Sequence, residues 1–448
     1  METIGTQPRK DFHLPARSGA FEEPRMKDHR SHREALQIQG KLDRRQFVSG
    51  ALTAAASVSS LAALANVTAH SASAQAPPVD PPRKIKLGVV GNGGRGAWIA
   101  KLFQQHGGYE MYAVADYFPE VADKCGEELG VDKTRRFSAL SGYKRLIESG
   151  VEAVALETPP YFFPEHACAA VDAGLHVYMA KPVAVDVPGA MAILAAGQSA
   201  TEKQRCFLVD YQVPTDPHNL EIAKQIAAGA IGNPAVVTSR YFGGGWPDPP
   251  RTATVESRLQ HLIWCNDIVL GGSHHVNACI HAIDAVLWVL GKRPVRAAGF
   301  SKIARDDPHS DSHDVLAISY TFEDGTVWDH CGRHLNNIYP FECRALIHGT
   351  TGYAQVSYTE SVRLQGPQSD YAGEVADLYE AGAVRNIEAF CRHVTEGNFE
   401  NATVRRAVDD VLTTILSREA TMRRVPLTMD EIITENRRLE LDLKGLKA

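Results

Sequence analysis

The chain has 448 residues, a formal net charge of −6 and 44% hydrophobic residues. That length allows two domains with substantial cores, and the composition is that of an ordinary soluble globular protein. The acidic balance and the lack of a long basic run exclude nucleic-acid binding as its main role, and no solenoid-type repeat is visible.

Residues 1–43 are polar and charged with little apolar periodicity, and a disordered leader is expected there. Next come Asp43-Arg44-Arg45-Gln46-Phe47-Val48 and a mildly apolar stretch from Phe47 to Ala69, rich in Ala, Ser and Thr. Ala72-Ser73-Ala74 and Ala74-Gln75-Ala76 are small-x-small cleavage candidates ahead of Pro77-Pro78. Residues 44–76 therefore resemble a twin-arginine export signal. Such a signal would pass the folded chain to the twin-arginine machinery and place it in the periplasm or outside the cell. An uncleaved membrane anchor is the alternative, because the stretch nearly reaches spanning length, and its low hydrophobicity counts against it. The leader before Arg44 is long, which makes Met26 a candidate start. The eight cysteines include no Cys-x-x-Cys pair, and Cys168, Cys206, Cys279 and Cys391 lie in apolar runs as expected buried thiols.

From residue 83 to 212 strand-like and helix-like segments alternate, which predicts a parallel sheet covered by helices. Strands are expected at Ile85–Val90, Met111–Ala115, Ala153–Glu157, His176–Met179 and Cys206–Asp210. Helices are expected at Gly96–His106, Pro119–Leu129, Tyr143–Ser149, Pro164–Ala173 and Val187–Glu202. The first strand runs into Gly91-Asn92-Gly93-Gly94-Arg95-Gly96, and the second ends in Asp116. This order fits a dinucleotide site: Gly91 for the tight turn, Gly93 for backbone approach to phosphate, Gly96 for close helix–strand packing. The helix N-terminus offers unpaired N–H groups to the pyrophosphate. Asp116 would hold the ribose hydroxyls and repel a 2′-phosphate, and no Arg follows closely, so NAD is expected over NADP. Thr158-Pro159-Pro160 and Ala180-Lys181-Pro182 each follow a strand's carboxyl end, where ligands collect in such sheets. Thr158 and Pro159 could wall the nicotinamide pocket. The Lys181 ammonium could orient a hydroxyl and stabilise developing alkoxide charge.

From 213 to 448 a substrate-binding domain is expected. It begins with a helix (Pro217–Ala228), followed by alternating strands at Ala235–Phe242, Val295–Ile303, Val315–Phe322, Thr326–Arg333, Arg344–His348 and Tyr353–Tyr358. Glu323-Asp324-Gly325-Thr326 reads as a hairpin turn. Helices are expected at His275–Leu290, Ala383–Thr395, Val404–Arg423 and Met429–Leu446. An open, largely antiparallel sheet with helices on one face fits this order, and its other face is the expected place for two copies to pair. The densest polar cluster runs from Gly271 to Asp284. On one helix, Asn277, His281 and Asp284 would share a face. His281 has a pKa suited to taking a hydroxyl proton. His274, His275 and His281 lack a carboxylate or thiol at a convincing spacing, so no metal is expected. Trp246 and Trp264 are candidates for stacking on a sugar.

Taken together, Gly91–Gly96, Asp116, Thr158-Pro159-Pro160, Pro164-Glu165-His166, Ala180-Lys181-Pro182, and Gly271-Gly272 ahead of His281-Ala282-Ile283-Asp284 resemble the glucose–fructose oxidoreductase / inositol dehydrogenase / rhizopine catabolism (Gfo/Idh/MocA) family. The resemblance spans roughly Lys84 to Arg424. It implies a Rossmann domain, then an α/β domain with an open, mostly antiparallel sheet, and hydride exchange with sugars, cyclitols or glycosides. It also implies that Lys181 matches the family's Glu-Lys-Pro lysine and His281 its catalytic histidine, with His166 beside the cofactor. Ala180 stands in place of the usual glutamate, Phe163 where a His is common, and Asn277 where an Asp is common.

The expected protein is an exported NAD-retaining oxidoreductase acting on a secondary alcohol of a sugar or glycoside. His281 would be its base, Lys181 would polarise the hydroxyl, Asn277 would place the substrate and Asp284 would place His281. Two alternatives stay open: a redox-neutral glycoside hydrolase or lyase using transient C3 oxidation, and a non-catalytic nucleotide-binding protein.

Overall fold

The computed structural model describes residues 83–251 and 254–448, so the leader at 1–43 and the signal at 44–76 lie outside the described residues. The chain opens β1 (Ile85–Val90), α1 (Gly94–His106), β2 (Tyr109–Asp116), α2 (Pro119–Leu129), β3 (Arg136–Ser138), α3 (Gly142–Glu148), β4 (Ala153–Leu156), α4 (Phe163–Asp172), β5 (His176–Ala180), α5 (Val187–Glu202) and β6 (Phe207–Asp210). The six strands form one parallel sheet in the order β3-β2-β1-β4-β5-β6. Strands such as β4, Ala-Val-Ala-Leu with every residue buried, are apolar on both sides because helices cover both faces. The chain runs outward from β1 to β3 and then returns to β4. Strand order thus reverses between β1 and β4, and a ligand crevice opens at their carboxyl ends.

The second half contains α6 (Pro217–Ala227), β7 (Pro234–Gly243), α7 (Val255–Arg258), α8 (Ile268–Gly271), a π turn (His275–Cys279) running into α9 (Ile280–Leu290), β8 (Arg296–Lys302), β9 (Val315–Thr321), β10 (Val327–His334), β11 (Glu342–Gly349), β12 (Tyr353–Ser357), β13 (Ser361–Gly366), β14 (Ser369–Glu374), α10 (Leu378–Glu396), α11 (Ala402–Arg423), β15 (Leu427–Thr428) and α12 (Met429–Glu435). Nine strands form a second sheet, β14-β13-β12-β11-β7-β10-β9-β8-β15, in which only β7–β10 is parallel. Burial alternates along β9, whose inner face, with Leu316, Ile318 and Tyr320, lies toward α11. Val236, Phe300 and Val327 are exposed on the outer face. Gly325, at φ 86°, closes the β9–β10 hairpin as expected.

Two expectations fail. The helix from His275 begins as a π turn, which changes the face each side chain presents. The last helix stops at Glu435, where Asn436 adopts left-handed φ 46°; an extension to Leu446 is not formed. The tail instead returns to the first half: the Leu439 N–H donates to Asp186 Oδ2 (2.8 Å) and the Leu140 N–H to the Lys447 carbonyl (3.0 Å).

Helix α11 binds the halves together, packing on α5 and β6 as well as α9 and β8. Helix α10 lays Ala383, Ile387 and Phe390 onto the core formed by Leu87, Phe103 and Tyr178. All eight cysteines are free; Cys206 and Cys279 are buried, Cys168 and Cys391 half-buried. Among the described residues no helix is long and apolar enough to cross a membrane.

Candidate functional site

The turn after β1 shows what each glycine does. Gly91 has φ +90°, and a Cβ there would lie 2.7 Å from the Thr158 nitrogen. A Cβ on Gly96 would lie 1.8 Å from the Gly91 carbonyl oxygen, so this glycine lets α1 sit against the turn. Gly93 faces open space. It is also the N-cap of α1 and brings no side chain to the first N–H groups, which leaves them for an anion. Asp116 ends β2; its carboxylate accepts from the Asn92 N–H (2.7 Å) and the Phe118 N–H (3.0 Å). Burial pushes this carboxyl above the ordinary range, and the two N–H donors oppose the shift.

Val90, Asp116, Tyr143, Thr158, Phe162 and His166 line a cleft of about 490 Å³, part of it open to solvent. His166 Nδ1 lies 3.3 Å from Thr158 Oγ1, and its ring packs on Tyr143 at 4.2 Å. Burial lowers the His166 pKa to about 3, which keeps the ring neutral. Pro159 starts the short turn Pro160–Phe162, and Phe163 is buried in the core. An open phosphate approach at Gly93, free N–H groups and a carboxylate at the cleft floor are together what a dinucleotide requires, and these residues fit one.

The Arg95 side chain turns away from the phosphate turn in which its backbone lies. Its guanidinium donates to Asp210 (2.5 Å) and the Tyr379 hydroxyl (3.2 Å), and lies 3.3 Å from Glu157. It therefore points toward carboxylates at the strand ends, although its backbone remains in the phosphate turn. The Glu157 side chain is buried with Oε1 unpartnered, and burial raises its pKa to about 7 against the pull of Arg95 and Lys181. Asp210 also accepts from Asn386 (2.7 Å) and Gln212 (3.2 Å).

Lys181 follows β5 and donates to the Asn277 carbonyl (2.8 Å) in the π turn. Irregular helix of this kind frees carbonyls from the ordinary ladder. Burial lowers the Lys181 pKa to about 8; Arg95 adds to the drop, and Asp210 and Glu157 oppose it. His281 is half-buried beyond the π turn, with Nδ1 unpartnered. Burial, then the Lys181 and Arg95 cations, push its pKa well below the ordinary value, so it stays neutral rather than titrating near neutrality as its sequence suggested. Lys181, Arg95 and His281 thus share one electrostatic neighbourhood.

The α-helical spacing that would put Asn277 on one face with His281 and Asp284 is interrupted by the π turn. Asn277 meets Lys181 through its backbone. Asp284 is fully buried and engaged by Arg406 (2.9 Å) and Asp410, and burial pushes its carboxyl above the ordinary range. Trp246 packs edge-on to His334 (4.7 Å) and His274 (5.7 Å), while Trp264 is half-buried with its carbonyl beside Gly271. Sequence reading missed Glu157, Asp210 and Arg418. The Arg418 guanidinium donates to the Val185 and Gly272 carbonyls (both 2.9 Å), clamping the loop after Lys181 to the turn before the histidines.

Comparison with known proteins bears on this arrangement. Residues 85–211 match the family model "Oxidoreductase family, NAD-binding Rossmann fold", and residues 219–355 match "GFO/IDH/MocA C-terminal domain". Over 245 residues the chain is 26% identical to 2,7-anhydro-N-acetylneuraminate hydratase of Mediterraneibacter gnavus, covering 54% of this chain and 59% of that one. It is 24% identical over 272 residues to scyllo-inositol 2-dehydrogenase (NAD(+)) of Bacillus subtilis, covering 60% and 72%. The fold is similar to aldose-aldose oxidoreductase from Caulobacter crescentus, with TM-score 0.64, 20% identity, and coverage of 77% of this chain and 100% of that one. It is similar in the same way to levoglucosan dehydrogenase, with TM-score 0.64, 17% identity, and coverage of 78% and 100%.

Proposed function

Because this chain belongs to the Gfo/Idh/MocA family of NAD-binding oxidoreductases, we propose that it oxidises a secondary hydroxyl of a sugar, cyclitol or glycoside. The observation that carries this reading is the Lys181 ammonium, held by the Asn277 carbonyl and within electrostatic reach of the His281 imidazole, whose Nδ1 has no partner. Residues 91–96 and the first turn of α1 would hold the pyrophosphate, Asp116 the adenosine ribose, and Thr158 and Pro159 the nicotinamide side. When bound, the nicotinamide supplies the hydride acceptor. Lys181 then orients the substrate hydroxyl and stabilises negative charge on its oxygen, while neutral His281 takes the proton. The Asp116 carboxylate favours NAD over NADP by repelling a 2′-phosphate. Sugar and cyclitol substrates are supported by the names of the relatives. The proposal includes export of the folded protein through the twin-arginine machinery, on the motif at 44–76, and pairing of copies through the outer sheet face at Val236, Phe300 and Val327.

Lys181→Met and His281→Ala should each lower turnover by about 10²–10⁴-fold, the usual contribution of a positioned acid or base. Nucleotide released from the denatured variants, measured by mass spectrometry, should match the wild type. Unchanged turnover in either variant rejects the assignment. A second reading, cleavage of a glycoside after transient oxidation at C3, is favoured by the relative named as a hydratase. Aglycone release without accumulation of reduced nicotinamide selects it; accumulation on adding a free sugar selects the dehydrogenase.

A further inference from the structure

Behind the proposed centre, in the core of the second half, three donor atoms converge that the redox chemistry does not use. His275 and Cys279 come from the π turn, four residues apart, and His330 from β10; their ligand atoms all lie within 4.8 Å of one another. None is more than 2% exposed. Sequence spacing alone hid this set, because a trio sought among His274, His275 and His281 omits the thiol and the strand histidine.

The hydrogen bonds define which nitrogens face inward. Ser417 Oγ donates to the Thr413 or Thr414 carbonyl (3.0 and 3.1 Å), so at 2.7 Å from His275 Nε2 it accepts the imidazole N–H. The proton of His275 therefore sits on Nε2, and Nδ1 presents a bare lone pair with no partner. His330 Nδ1 lies 2.8 Å from Ser239 Oγ, which also receives the Trp328 indole N–H (2.8 Å), while His330 Nε2 has no partner. The far nitrogen of each ring meets a serine; on His275 this leaves Nδ1 bare, and on His330 a metal at Nε2 requires Ser239 to accept from Nδ1–H as well as from the Trp328 indole. A buried lone pair left without a donor is otherwise costly. Space for an ion is kept by Gly332, where a Cβ would lie 2.7 Å from Cys279 Sγ and 3.5 Å from His330 Nε2. His274 Nδ1, 3.9 Å from the same sulfur, is the nearest further donor.

We propose that His275, Cys279 and His330 bind one divalent cation of borderline softness, for which Zn²⁺ is the probe. Imidazole with thiolate selects Zn²⁺ and its neighbours over Mg²⁺ or Ca²⁺. Cys279 releases its thiol proton on binding, and full burial means that loading accompanies folding. The cation braces the π turn against β10, and with it the Asn277 carbonyl that receives Lys181.

The test uses the full protein made in Zn²⁺-supplemented medium, freed of loose metal by a mild chelator. One Zn²⁺ per chain is expected, with X-ray absorption showing one sulfur at about 2.3 Å and nitrogens at about 2.0–2.1 Å. Cys279→Ser and Gly332→Ala should each lower retained Zn²⁺ about tenfold or more, as disturbing a ligand or its close neighbour does. Zinc below a tenth of an equivalent in the wild type overturns the proposal; a buried water bridging the imidazoles would give that result. Shells of only oxygen and nitrogen, or undiminished zinc in folded Cys279→Ser, also overturn it. Where a variant fails to fold, the wild-type content and absorption spectrum decide.

Discussion

At the scale of single residues, the parallel register explains where the negative charge near Lys181 comes from. β5 pairs Met179 with Leu156 of β4 and Ala180 with Asp210 of β6. Glu157 and Asp210 therefore flank Ala180 from the two neighbouring strands, and both hold Lys181 in its charged form against Arg95. Glu157→Gln removes one of these carboxylates while keeping the volume. The Lys181 pKa, already lowered to about 8, should fall further. If the ammonium is the working form, the alkaline limb of kcat/KM should begin near that value in the wild type and move about one pH unit lower in the variant, a cost of about 1.4 kcal/mol to the charged state. A limb that stays in place would show that Glu157 does not act on Lys181. The same residues mark the limit of sequence reading. Lys181, His281 and the glycines stand in motifs whose spacing carries their meaning. Glu157 and Asp210 are lone acids at strand ends, and only sheet register makes them neighbours. Asn277 lies in the π turn, so its α-helical spacing to His281 does not hold, whereas Asp284 follows His281 on regular α9 and is engaged by Arg406.

At the scale of elements, legibility follows burial on both faces. The apolar runs of β1, β4 and β5 and the amphipathic α2 were legible because one period accounts for each. β3 has three half-buried residues, and β13 and the edge strand β14 carry few apolar residues among polar ones and glycine, so no run stands out. The end of α12 was overrun because the charged segment after Glu435 keeps good helix formers, and tertiary bonds to the first half decide its path. The turn between β1 and α1 separates folding from binding within one motif. Gly96→Ala places a methyl on the Gly91 carbonyl, and overpacking of this kind should cost about 1–3 kcal/mol. A Cβ at Gly93 meets no atom within 4 Å and the backbone is ordinary and extended, so Gly93→Val should cost about 1 kcal/mol or less. Its bulk lies where phosphate would approach, and NAD affinity should fall at least tenfold, by about 1.4 kcal/mol. Urea unfolding beside nucleotide titration checks both. Equal loss of stability in the two variants would refute this division of roles.

At the scale of the whole molecule, α11 and Arg418 join the halves, so a local charge change in one is felt by a common fold. His166 is the clearest lever, fully packed between Thr158, Tyr143 and Phe162. Its folded pKa of about 3 lies below the ordinary 6.5, so between these values the unfolded chain binds a proton that the folded chain refuses. Stability is therefore complete above about pH 6.5 and is lost as pH falls toward about 3, by roughly 2 kcal/mol at about pH 5 from this residue alone. Other buried histidines add slope in the same direction, as His176, lowered to about 4 by burial, illustrates. His166→Gln keeps a polar side chain near Thr158 and removes the titration. Urea midpoints at about pH 7.5 and about pH 5 should differ less in the variant than in the wild type, by the equivalent of roughly 2 kcal/mol. If the two proteins show the same acid dependence, His166 is protonated in the folded state at about pH 5, and the cleft admits more water than its packing indicates.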